Sequence, residues 1–143
     1  MKTQPYPMRA GTCAAAVLAL VAGMATPLLA DETPEERWLA LPSGMQARLA
    51  EIIWDEDDHI GRFRFVAPAL TDHAADDAAV AADMQALCRE FALHVQRGLR
   101  PGWDVIVISL SETLLPFGEY DPAVLQLFGG FIAESADCQW EDF

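Results

Sequence analysis

Five consecutive residues, Asp55-Glu56-Asp57-Asp58-His59, form the densest run of oxygen and nitrogen donors in the chain. Carboxylates and imidazoles are ligands of divalent cations, so the run is tested first as a metal site. In a calcium loop, Asp55, Asp57 and His59 would fill the first, third and fifth places. The sixth place then holds Ile60 where the turn needs Gly, and the twelfth holds Val66 where a bidentate Glu is needed. Asp55, Asp57 and His59 stand only as candidates for a loose cation site at a solvated hairpin tip. His59, His73 and His94 share no HxxxH or HExxH spacing, so zinc would need ligands from distant elements. His73 and Asp77 are spaced to meet across a helix start, which is capping chemistry.

Other constellations are thinner. Ser109 and Ser111 lie on and after an apolar run, without the GxSxG elbow of a serine nucleophile. Ser43, Gly44 and the Gly129-Gly130 pair make neither a phosphate loop nor a dinucleotide fingerprint. Arg62 and Arg64 project from one face of a strand, suited to cross-strand pairing with Glu51 or Glu141, or to holding a ligand carboxylate. Trp54 and Trp103 stand at strand ends, placed to line a shallow binding surface. No catalytic residue, cofactor or metal set is assigned.

The chain of 143 residues suits one domain. Met1–Ala30 holds Lys2 and Arg9 but no acid, and an apolar run covers Ala14–Ala25. That is the pattern of a secretory signal peptide, with cleavage after Ala30 or after Ala25. The run is short for a membrane span of about 20 residues and Pro27 interrupts its tail, so no stable membrane insertion is expected after cleavage. The remainder keeps seven arginines, no lysine and all 22 acids. Such a surface repels phosphate backbones and anionic headgroups. Nucleic acid is therefore an unexpected partner, whereas a cationic one is compatible. In an oxidising compartment the pair Cys88 and Cys138 reads as a disulfide, with two separately buried thiols as the alternative.

The elements that would position these groups follow from period and punctuation. Residues 31–40 are an acidic, flexible lead-in, tethered at Trp38 and Leu39, and 41–143 form a single domain. Leu41-Pro42-Ser43-Gly44 is a turn. Met45–Trp54 and Gly61–Ala67 read as strands around the Asp55–His59 loop. A helix is predicted from Asp76 or Asp77 to Arg97, with the stripe Val80, Met84, Leu87, Phe91, Val95 and a Gly98 stop. Val105–Leu110 reads as a strand dry on both faces. Asp121-Pro122 would open a helical turn. Leu127–Glu134 and Cys138–Phe143 would close the domain as a hairpin, with Gly129-Gly130 marking a bulge or a close backbone approach. The expected fold is α+β: an antiparallel sheet of about five strands, β-β-α-β-β-β, with one long helix on one face.

The succession LPSG (Leu41–Gly44), IIWDE (Ile52–Glu56), RFRFVAP (Arg62–Pro68), DMQALC (Asp83–Cys88), IVISL (Ile106–Leu110), PFGE (Pro116–Glu119) and CQWEDF (Cys138–Phe143) resembles the domain-of-unknown-function family 6497. The family comprises small exported proteins of Gram-negative bacteria. The resemblance implies a leader-bearing domain with cysteines at the places of Cys88 and Cys138, and brings no catalytic residue. The functional expectation is a periplasmic or secreted, non-catalytic binding or interaction module, with an unknown protein or small-molecule partner in the periplasm. Two alternatives stand beside it: a small metal-dependent or hydrolytic enzyme using the Asp55–His59 loop, and a structural subunit of an envelope complex.

Overall fold

Turn residues and two-residue alternation lay the strands down in chain order. The computed structural model describes residues 37–141. Its sheet runs β1 (Trp38–Ala40), β2 (Gln46–Asp55), β3 (Ile60–Val66), β4 (Val105–Ser111), β5 (Gln126–Glu134) and β6 (Asp137–Glu141), each beside the next. The leader expected in Met1–Ala30 and the end of the Cys138–Phe143 strand lie outside the described residues.

Two features correct the five-stranded antiparallel expectation. Trp38–Ala40 is not merely a tether but a sixth strand, paired with Gln46–Arg48 across the LPSG turn. Strands β3 and β4 pair in parallel, Phe63 beside Ile108, while every other neighbouring pair is antiparallel. The cause is the helical segment between them: it returns the chain to the starting end of β3, and such a crossover makes neighbours parallel.

The LPSG turn closes with Gly44 N–H donating to Leu41 O (2.9 Å) and Gly44 at φ +90°, which favours glycine. Helix and turn are then clamped together. Asp83, fully buried, accepts from the Ser43 amide at 2.9 Å and the Ser43 hydroxyl at 2.6 Å. A carboxylate in the core is tolerated because both oxygens have donors.

The predicted long helix is present but broken in period. α1 (Leu70–His73) is a single turn between β3 and the predicted helix. α2 (Asp77–Leu87) is capped by Asp76, whose side chain accepts from Ala79 N–H at 3.0 Å. Cys88–Ala92 is then a π-helical turn, Leu93 N–H reaching back to Cys88 O, before α3 (Leu93–Leu99). The wide turn inserts one residue into the repeat, so every face beyond it rotates. Val80, Met84 and Leu87 are buried as predicted. Beyond the insertion, Ala92 and Gln96 are buried where Phe91 and Val95 were expected, and those two are only half-buried. Gly98 lies inside α3 and does not stop it; Pro101-Gly102, with Gly102 at φ +90°, turns the chain instead.

The core lies between this helical layer and one face of the sheet: Leu49, Phe63, Phe65, Ile106, Ile108, Leu110 and Phe131 beneath Val80, Met84, Leu87 and Leu93. Gly129 allows the close approach anticipated for the Gly129-Gly130 pair. A Cβ there would sit 3.0 Å from Met84 Sδ and 3.0 Å from the Trp140 ring. The bulge falls in β2 instead, between Leu49 and Glu51. Cys88, at the head of the π-turn, is joined to Cys138 of β6, fastening the helix to the last strand. The 50-residue separation corresponds to about 4 kcal/mol in the chain-entropy account.

Candidate functional site

The Asp55–His59 run forms the tip between β2 and β3, and its donors diverge. Asp55 turns inward to Arg62, Oδ2 to Nη2 3.1 Å. That hydrogen bond holds the Asp55 carboxyl below its ordinary pKa. Glu56 pairs with Arg100 at 3.0 Å, and Asp57 and Asp58 are exposed. His59 adopts φ 55° and stacks on Trp103 at 5.2 Å. Trp54 and Trp103 meet edge to face at 5.9 Å, and Arg100 lies over both rings at 4.9 and 5.6 Å. The two tryptophans thus tie the tip to the end of α3 instead of lining a surface. Among the described residues, no three His, Cys, Asp or Glu side chains converge as a metal shell. His73 closes α1, and His94 is exposed on α3.

The concave site lies on the other side of the sheet. Alternation sends Ile106, Ile108 and Leu110 of β4 into the core and Val107, Ser109 and Ser111 to the opposite face. Val105 and Val107 are only half-buried, which corrects the expectation of a strand dry on both faces. Segment 112–125 arches over this outer face without forming a helix or strand. Asp121-Pro122 makes a turn rather than a helix, with Val124 N–H donating to Asp121 O at 3.0 Å. Between strap and sheet is a cleft of about 320 Å³, floored by Arg62, Arg64, Val107, Ser109 and Phe128 and walled by Leu114, Phe117, Glu119 and Tyr120. That is the lower end of the range for small-molecule sites.

Arg64 fastens the strap. One guanidinium nitrogen pairs with Glu51 and another donates to Leu115 O, while the group lies 5.8 Å from the Phe117 ring centre. Glu51 is thus the cross-strand partner, and Glu141, which pairs along β5, is not. Both arginines of the RFRF strand are engaged by acids of β2. Arg62 Nε is buried without an acceptor. Each guanidinium considered from the sequence as a carboxylate grip is thus already paired with one acid of β2. Ser111 Oγ donates to Thr113 O at 2.6 Å, and no histidine or cysteine lines the cleft among the described residues.

The rim is apolar and wet. Phe117 is 61% exposed, Tyr120 81%, Phe128 64% and Leu114 46%. These make four of the seven large exposed apolar side chains among the described residues, gathered at one mouth. Exposed apolar groups concentrated in this way mark interaction surfaces. In the sequence PFGE stood out only as one motif of the family resemblance. The missed signal was the length of 112–125, since long unstructured connections in small domains are usually functional.

The scan of protein families matches residues 16–143. The chain belongs to the family of unknown function DUF6497. No curated protein and no solved structure matches it. The DUF6497 match extends the resemblance N-terminally from Leu41, over which the ordered motifs were read. It carries no activity, so function rests on the geometry of the cleft.

Proposed function

We propose that this DUF6497 domain is an exported, non-catalytic binding module whose ligand lies in the cleft beneath segment 112–125. One observation carries the reading: three aromatic rings, Phe117, Tyr120 and Phe128, crowd the mouth of a concave site in a protein whose other face is already covered. Leaving that much apolar surface in water costs solvation free energy that an occupant would recover. Export is supported by the basic-then-apolar pattern of Met1–Ala30 and by the Cys88–Cys138 bond, which persists in oxidising compartments. No helix among the described residues is long and apolar enough to cross a membrane.

The test is chemical-shift mapping of the protein with the neutral probe 2-phenylethanol. Shifts are expected at Val107, Ser109, Phe117–Tyr120 and Phe128, and to vanish in Phe128→Ser. Shifts confined to Asp55–His59, or none anywhere, would sink the cleft as a site. The envelope-subunit reading draws on a different feature, the two open sheet edges β1 and β6, where Trp38 and Trp140 stand partly in solvent. Co-purification of a stoichiometric partner that survives Phe128→Ser but not Trp140→Ser would favour it.

A further inference from the structure

If the cleft beneath segment 112–125 is a binding site, its charges specify the class of ligand. Three charged residues line it: Arg62, Arg64 and Glu119. Each arginine is matched by an acid outside the lining, Arg62 by Asp55 at 3.1 Å and Arg64 by Glu51. Glu119 takes part in no ion pair among the described residues. It is exposed and lines the same cleft as Phe117, Tyr120 and Phe128. The uncompensated charge of the cleft is therefore one carboxylate, in a lining that also holds the Tyr120 and Phe128 rings and a Phe117 ring already approached by Arg64.

We infer that the cleft accepts a small amphipathic cation, an ammonium or guanidinium group joined to an apolar body; this rests on the binding reading above. Aromatic faces carry negative quadrupole density and attract cations, and a neighbouring carboxylate strengthens that preference. The formal charge of −13 adds a long-range field that draws cations toward the protein and repels anions. Size is limited too. A cleft of about 320 Å³ holds roughly ten non-hydrogen atoms if each takes the ~30 Å³ share of a liquid water molecule. An aryl-alkyl amine fits that allowance. The apolar body would lie against Val107 and Phe128, with the cationic head at Glu119 near the mouth.

The test compares three probes of nearly equal size, 2-phenylethylammonium, 2-phenylethanol and phenylacetate, titrated at low salt and followed by the shifts of cleft residues. The ammonium is expected to bind at least about tenfold more tightly than either of the others. Glu119→Gln should reduce that advantage to about twofold, with the amide spectrum of β2–β6 and the urea midpoint as in the wild-type protein, which shows that the variant is folded. Three probes binding alike, or phenylacetate binding best, would overturn the cationic assignment and leave the cleft standing as a site. An ammonium preference unaltered in Glu119→Gln would overturn it equally. Silence from all three in the wild-type protein would remove the binding reading itself.

Discussion

Strand β4 serves two surfaces that differ in nearly every physical respect. On one face Ile106, Ile108 and Leu110 have no exposure, and a disulfide, a buried Asp83 clamp and the helix cover them. On the other, Val107 and the two serines meet an arch of chain that leaves a cleft, with its aromatic residues in solvent. The first face maximises area removed from water and leaves no room for a ligand. The second is held by polar bonds, Arg64 to Leu115 O, Ser111 Oγ to Thr113 O and Thr71 Oγ1 to Glu112 among them. The difference separates stability from function within one small sheet: covalent and apolar ties concentrate on one side, and adaptable surface on the other.

The sharpest way to break this contrast is to truncate a phenylalanine on each face. Phe63→Ala, which opens the core, is expected to destabilise the fold by about 3–5 kcal/mol. Phe128→Ala should change stability by no more than about 0.5 kcal/mol while weakening probe binding. Urea unfolding of both variants decides; equal losses would erase the distinction between the faces. Next in size is the Cys88–Cys138 bond. Replacing both cysteines with serine is expected to cost about 4 kcal/mol, and reductant should bring the wild-type protein to a similarly lowered urea midpoint.

Smaller effects probe the strap and the hairpin tip. Arg64→Ala removes charge-assisted hydrogen bonds from a side chain only 12% exposed. A loss of about 2 kcal/mol is expected. Hydrogen exchange should locate it, with amides of 112–125 losing protection while those of β3 and β4 keep theirs. The least effect concerns Asp55. Its pKa is lowered chiefly by the Arg62 hydrogen bond, so the folded state binds protons less readily than the unfolded chain. The stabilisation is fully present above the ordinary carboxylate pKa and fades as pH falls through the lowered folded value. Asp55→Asn should flatten the acid limb of the thermal midpoint against pH; an unchanged limb would show that the pair contributes no stability.

The strands were legible because their signals are local. RFRF alternates, LPSG and Pro101-Gly102 carry turn chemistry, and VIVISL is β-branched. The cysteine pair was readable once the expected leader set Cys13 aside, leaving Cys88 and Cys138. The shifted helix face was not: the π-turn at Cys88–Ala92 is a non-local adjustment, which lets Cys88 reach Cys138 while Gln96 donates to Trp103 O and Val105 O at 3.1 and 3.2 Å. Gly61 shows the same dependence. A Cβ there would lie 2.0 Å from Gln96 Oε1, a clash between residues 35 positions apart that no periodicity reveals.

The residues alone therefore determined the α+β class, the acidic surface and the pairing of sulfurs, since these follow from composition, period and short-range sterics. Tertiary structure decided which charges remain free. Arg62 and Arg64 looked like a grip for an anion until β2 brought Asp55 and Glu51 against them, and Glu119 looked like one acid among 22 until the strap placed it in the lining of an aromatic cleft. Charge compensation depends on distances between segments remote in sequence, and only the folded chain sets those distances.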